Sequence, residues 1–334
     1  MMTHIPKHSF ARRRRALALS VVVLLAACGG SDDGPASVAD DSDWSAEAIA
    51  PDPDAPVQTS LAVGPLAVGT NRVAFGIVDQ AGLLVSGAKV DARFFSLDDQ
   101  VDGQVTGSLV SEQSLTAVDL PQGYGHEHAD GSDHEHSGPA TTVYVTNIDF
   151  AQPEWWGAEL TITIEGEQLD PMRVPFWVEQ DTPEPALGEL IPASVQLTLN
   201  DTDDITLVDS ADPPYPDLHD TTVAAALEEG RPLVIAFATP AFCTTRFCGP
   251  VVEAIVAPLA ERYDDRVKFI VIEPFDLTKA GDGDLVPMPV MAEWGLDSEP
   301  WVFVTDAEGL VTARFQGITS ETEVGAAIDQ MLAG

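Results

Sequence analysis

Cysteine is scarce in this chain, with three in 334 residues, too few for a disulfide framework. Basic residues are scarce as well: 16 stand against 54 acidic ones, for a formal net charge of −38. A surface this acidic repels nucleic acid and anionic lipid headgroups, so no nucleic-acid partner is expected. Long hydrophobic runs are missing. Residues 16–27, ALALSVVVLLAA, form a short apolar run, and a bilayer-spanning helix needs about 20 such residues. No histidine follows His219. No internal repeat is evident. What is present is 45% hydrophobic residues and ample Pro (25) and Gly (26), enough for two cores joined by many turns.

The short apolar run follows Arg12, Arg13, Arg14 and Arg15 and ends in Leu25-Ala26-Ala27-Cys28. This pattern resembles the signal peptide and lipobox of bacterial lipoproteins. The resemblance implies that residues 1–28 are a leader and that Cys28 is lipidated and becomes the mature N-terminus. An ordinary signal peptide cut after Ala27, or an uncut anchor, is the alternative. Five of the 16 basic residues precede Cys28 and none of the acidic ones do, so removal of the leader makes the chain more acidic still. Membrane attachment must then come from acyl chains. The expected location is the cell membrane, lipid-anchored and facing the periplasm or cell exterior, where disulfides persist. Residues 29–56 are acidic and Pro-rich without a burial pattern and read as a disordered tether.

Residues 57–180 read as β. Alternating or β-branched runs recur at 72–78, 88–97, 141–150, 158–165 and 172–179, separated by Gly, Asp and Pro. Such spacing predicts a small antiparallel sandwich, loosely similar to immunoglobulin-like modules. Trp155, Trp156, Phe176 and Trp177 are expected to pack in its core or edge. Residues 181–230 read as a linker and lead-in, with one or two short strands within 192–220 and a short helix over 224–229; His219 there is expected at the surface. From Arg231 the pattern becomes α/β. Buried strands are predicted at 232–238 and 267–272. A helix is expected at 251–263, a short one at 289–294, a hairpin at 301–315, and a closing helix from the capping box Ser320-Glu321-Thr322-Glu323 to about Leu332.

The segment FATPAFCTTRFCGP, residues 237–250, holds Cys243 and Cys248 at the end of the first buried strand. With the Gly249-Pro250 helix start, Pro258, Pro300 before a hydrophobic strand, and Gly309 in a hairpin, residues 231–334 resemble the thioredoxin fold. The resemblance implies an α/β thioredoxin-like domain behind the β-sandwich domain, a cis bond at Pro300 packed beside the cysteines, and thiol–disulfide exchange through Cys243 and Cys248. It also implies that Pro300, with Glu299 before it, contacts the substrate. Three departures stand out. Four residues separate the cysteines where thioredoxins have two and Sco-type copper chaperones three. Ala236 lies about where the family has a buried acid. Glu299 occupies a position that is usually small or apolar; facing the thiols, it would raise their pKa.

Two residues five apart within one helix lie about 8–9 Å apart at Cα, beyond the roughly 7 Å limit for a disulfide. Cys243 must therefore precede the helix, or the intervening turn must bend. Pro250 favours the first helical turn, which places Cys248 at the helix start, where the helix dipole favours its thiolate and makes it the alternative attacker. Order along the family motif favours Cys243 as attacker and Cys248 as its partner, with Arg246 adding positive charge between them. An inert staple is the other reading, although so small a ring constrains little chain entropy.

The stretch HEHADGSDHEH, residues 126–136, carries His126, His128, His134 and His136. Neutral imidazoles bind copper and zinc, so this loop is a candidate metal site, or else a disordered polar insertion. Two functions follow. One is a lipid-anchored thiol–disulfide oxidoreductase acting on envelope proteins with thiols or disulfides, with no cofactor required. The other is a copper- or zinc-handling or partner-binding lipoprotein whose thioredoxin-like domain is a redox-inactive scaffold.

Overall fold

The computed structural model describes residues 43–97, 105–120, 125–127, 133–135, 141–243 and 247–334. They belong to one compact unit spanning Asp40–Gly334. The leader, Cys28, His128, His136 and Arg246 lie outside the described residues.

The first half is built from strands β1 (Val57–Leu61), β2 (Leu66–Ala67), β3 (Gly69–Asp79), β4 (Lys89–Leu97), β5 (Gly107–Ser114), β6 (Thr116–Leu120), β7 (Gly125–Glu127), β8 (Asp133–Glu135), β9 (Thr141–Phe150), β10 (Trp155–Ile164), β11 (Glu167–Gln168) and β12 (Met172–Glu179). One sheet runs β1-β3-β9-β6 and a second runs β2-β12-β10-β4-β5, with β11 paired to β10. The short β7 and β8 pair with each other, His126 opposite His134 in backbone register. The two main sheets face each other across Val73, Phe75, Ile77, Phe94, Tyr144, Phe150, Trp156, Leu160 and Phe176.

The first sheet is apolar on both faces, and the alternation of β3 and β9 shows why. Val73, Phe75 and Tyr144 point to the second sheet, while Ala74, Val143 and Val145, with Val118 and Leu120 of β6, point the other way into a second cluster. That second cluster is shared with the C-terminal half. The β-rich and α/β halves therefore meet through a common apolar core. At its margin Arg72 grips Glu323, Nε to Oε1 at 2.8 Å and Nη2 to Oε2 at 3.0 Å, and donates to the Ile318 carbonyl at 2.9 Å.

The second half has strands β13 (Leu233–Phe237), β14 (Lys268–Ile272), β15 (Trp301–Thr305) and β16 (Val311–Gln316) in the order β14-β13-β15-β16. β13 and β14 are parallel; β15 and β16 are antiparallel to their neighbours. All five residues of β13 are buried, because helices cover both faces. One face holds α1 (Val223–Glu228) and α5 (Pro289–Glu293), packed with Trp294, Phe237 and Phe303. The other holds α2 (Cys248–Val251), a π turn (Val252–Val256), α3 (Ala257–Tyr263) and α6 (Glu321–Ala333), and it is this face that meets the first sheet. A further short helix, α4 (Leu277–Ala280), lies beyond β14.

Two differences from expectation have clear causes. The predicted single helix over 251–263 contains a π turn, with the Ala257 N–H bonded to the Val252 carbonyl. It stands next to Pro258, which has no N–H for a regular helical bond. No strand forms within 192–220; two 3-10 turns (Ile205–Leu207 and Pro216–Leu218) do instead. Carboxylates take up backbone N–H groups in and beside these turns. Asp204 caps Thr206, and Asp209 accepts from Ala211 and Tyr215 at 2.9 and 2.6 Å, a local competition that acidic residues favour.

Candidate functional site

Strand β13 ends at Phe237, and the chain runs through Thr239 to Cys243 before α2 opens at Cys248. Cys243 thus precedes the helix and Cys248 begins it, the arrangement that helix geometry demands of two bondable cysteines at this spacing. The two form no disulfide; Cys243 is half-buried and Cys248 buried. Their sulfurs lie 2.7 Å apart, and the Cys248 backbone N–H donates to Cys243 Sγ at 3.2 Å.

Burial pushes the Cys248 thiol far above its ordinary pKa, and the hydrogen bond and charge of Cys243, with the charge of Glu299, add to the effect. The Thr239 backbone N–H opposes it by bonding to the sulfur. Cys248 therefore rests as a protonated thiol, sealed among apolar neighbours that include Val251, Ala236 and Ala238.

Glu299 and Pro300 close the site from the loop before β15. Their peptide bond is cis. The Pro300 carbonyl accepts from Gly317 N–H at 2.9 Å, which ties this loop to the end of β16. The Glu299 side chain is buried, and one of its carboxylate oxygens lies within 4.8 Å of both sulfurs. Cys243, Cys248 and Glu299 are thus a group that could hold a metal ion: two thiol ligands and one carboxylate.

Behind the cysteines lies a polar cluster that the sequence pattern did not reveal. Glu273, one residue past β14, is buried; its Oε1 accepts from Ser210 N–H at 2.8 Å, and the Thr239 hydroxyl also bonds to the carboxylate. Burial raises the Glu273 pKa to about 7. The only signal in the sequence is an acid directly after the apolar run VKFIVI. His219, expected at the surface, is instead 4% exposed. Its ring bonds to the Val271 backbone of β14, and Nε2 lies 3.5 Å from Asp209 Oδ2. Burial lowers its pKa, so the imidazole is neutral at pH 7. The aromatic quartet divides: Trp156 and Phe176 are core residues, whereas Trp155 and Trp177 are exposed.

No family model matches the chain, and no curated protein does. Among solved structures, the chain is similar to MtrC from Shewanella baltica OS185 at 11% identity, over 42% of this chain and 24% of that one, with a TM-score of 0.23. It is also similar to AvmM, which catalyses macrocyclization in alchivemycin A biosynthesis, at 9% identity over 38% of this chain and 90% of that one, TM-score 0.21. The third is β-glucosidase from Listeria innocua, at 12% identity over 37% and 16%, TM-score 0.18. The chain spans about a quarter of the length of MtrC. At these scores none of the three carries an argument about fold or function.

Proposed function

We propose that this is a lipid-anchored envelope protein whose α/β half is a thioredoxin-like domain and whose two-sheet half is an immunoglobulin-like sandwich, with Cys243 and Cys248 exchanging thiols and disulfides. The single observation that carries the reading is the unequal burial of two sulfurs 2.7 Å apart. Exchange needs one sulfur that a substrate can reach and a second held close enough to resolve the mixed disulfide. Cys243 is the reachable one.

In the reducing direction, the Cys243 thiolate attacks one sulfur of a substrate disulfide. A Cys243–substrate disulfide forms, and the other substrate sulfur leaves as thiolate. Cys248 then gives up its proton and attacks Cys243 Sγ. The second substrate thiolate leaves, and the Cys243–Cys248 disulfide remains. Two electrons pass from the pair to the substrate, and a dithiol of the envelope returns them. The same steps reversed oxidise a substrate dithiol. No cofactor is required. The buried Glu299 carboxylate borders both sulfurs, and the substrate chain would lie over Cys243 beside the loop that carries Glu299 and Pro300.

A second reading is favoured by the third ligand. Two thiolates and the Glu299 carboxylate match the donor preferences of zinc or, for the soft sulfurs, copper(I). The site would then hold an ion, with the 126–136 histidines as a separate donor set. One preparation tests both. The purified protein is assayed for reduction of a protein disulfide, and its copper and zinc content is measured. Exchange predicts loss of activity in Cys243→Ser and in Cys248→Ser. Activity unchanged in both variants removes the exchange reading. A metal content near one per chain that falls in Glu299→Gln favours the ion instead.

A further inference from the structure

We infer that the outer face of the second sheet, at Trp155 and Trp177, lies against the lipid surface to which the chain is anchored; this rests on the lipid anchor at Cys28 proposed above. Trp155 and Trp177 are cross-strand partners on β10 and β12. Their rings meet edge-on at 5.7 Å, and they are 52% and 41% exposed. Leu109 of β5 adds a third exposed apolar side chain on this sheet. Two exposed indoles side by side form a platform, and indoles favour the water–lipid boundary, where the ring is half wetted.

The chain itself brings this face to the membrane. Trp44, at the start of the described residues, is 2% exposed and packs flat on the same sheet face. It covers Gly157 and Gly107 so closely that a Cβ at either would collide with its ring. Phe95 flanks it, Arg173 stacks on it at 5.3 Å, and the Trp44 backbone N–H donates to the Val105 carbonyl at 2.9 Å. Gly157 is two positions from Trp155 along β10 and faces the same way, roughly 7 Å distant. The anchoring chain therefore joins the body beside the tryptophan pair. Cys28 and Trp44 are 16 residues apart in the sequence, a length that can reach at most about 55 Å. At that range the face meets the bilayer as an intramolecular event, with an effective concentration on the order of millimolar.

The opposite side of the molecule is not available for this role. The outer face of the first sheet is covered by the α/β half. The cysteines consequently sit across the sandwich from the tryptophans and face the aqueous compartment. The charged end of the tryptophan face does not oppose contact with a neutral surface, since Arg93 and Arg173 both bond to Glu159 at 2.7–3.0 Å. The acidity of the whole chain selects zwitterionic over anionic lipid.

The test uses the full lipidated protein in phosphatidylcholine vesicles, with and without bromine on the acyl chains, which quenches indoles in contact with them. Tryptophan fluorescence should fall by up to a third in brominated vesicles, the share of two indoles among six. Trp155→Ala and Trp177→Ala should each remove part of that fall and the double variant all of it, with vesicle binding retained through the acyl chains. Vesicle-bound protein that is not quenched, or quenching that persists in the double variant, overturns the inference alone. A chain whose mass lacks acyl groups and that does not sediment with vesicles overturns the anchor as well, and the inference with it.

Discussion

Replacing Glu273 by Gln should change the pH dependence of stability by an amount the structure sets. In the unfolded chain the carboxyl titrates near 4.5; in the folded protein, burial moves it to about 7. The folded state thus prefers the protonated acid. That preference contributes stability fully below pH 4.5, and the contribution is lost as pH rises through 7. Moving the carboxyl from 4.5 to about 7 corresponds to about 3 kcal/mol in full, and to about 2.5 kcal/mol between pH 5 and pH 8. The groups facing Glu273 work in both directions. Ser210 N–H and hydroxyl and the Thr239 hydroxyl favour the charged form, Asp209 disfavours it, and desolvation outweighs them. Gln keeps an oxygen for the Ser210 N–H and removes the titration. Urea unfolding of both proteins, with the cysteines kept reduced, should show the variant gaining on the parent by about 2.5 kcal/mol from pH 5 to pH 8. Taking the difference cancels the background of the other carboxylates. A gap between the two proteins that stays constant within about 0.5 kcal/mol would refute the argument, because it would mean that Glu273 is hydrated.

Trp44→Ala should cost about 3 kcal/mol, the low end for a buried tryptophan, since Trp44 packs in a small cluster with Phe95 and Leu97; a loss below about 1 kcal/mol in urea unfolding would mean that the segment is not docked. Arg72→Ala leaves the Glu323 carboxylate, itself largely covered, without its bidentate partner, and should cost about 1.5–3 kcal/mol. Glu323→Gln should cost less, because a neutral amide is left; equal losses in the two variants would argue against a charge-assisted bond at this junction.

The strands with a strong burial pattern were legible from sequence. The runs at 141–150, 172–179 and 301–305 coincide with β9, β12 and β15, because each buries alternate or consecutive side chains. β5 was not legible: its residues Gly107–Ser114 are mostly exposed and polar, so no hydrophobic period marks it. β10 begins at Trp155, three residues before the predicted run, and Gly157 hides its continuity; a glycine stands there because Trp44 occupies the space of a side chain. At the site, the order Cys243, Cys248, Glu299, Pro300 could be read along the chain, and the separation of loop and helix followed from helix geometry. Thr239, Ser210, Glu273 and His219 could not. They come together only because β13 and β14 end side by side and the 199–220 segment folds across those ends, a contact between distant positions that no local period encodes.

The burial of Cys248 is a property of both halves together. Its sulfur belongs to the cluster that contains Val251, Ile255 and Val302 of the α/β half, and that cluster continues without a break into Ala74, Val118, Leu120, Val143 and Val145 of the first sheet. Burial is also the largest cause holding the Cys248 thiol protonated. The β-rich half therefore does more than space the cysteines from the chain start. Its outer face extends the apolar cluster to which the Cys248 sulfur belongs, while Cys243 is only half-buried. A fragment cut at residue 231 would uncover the faces of α2, α3 and α6 that meet those residues, and water there would weaken the contrast between the two thiols on which the exchange reading depends.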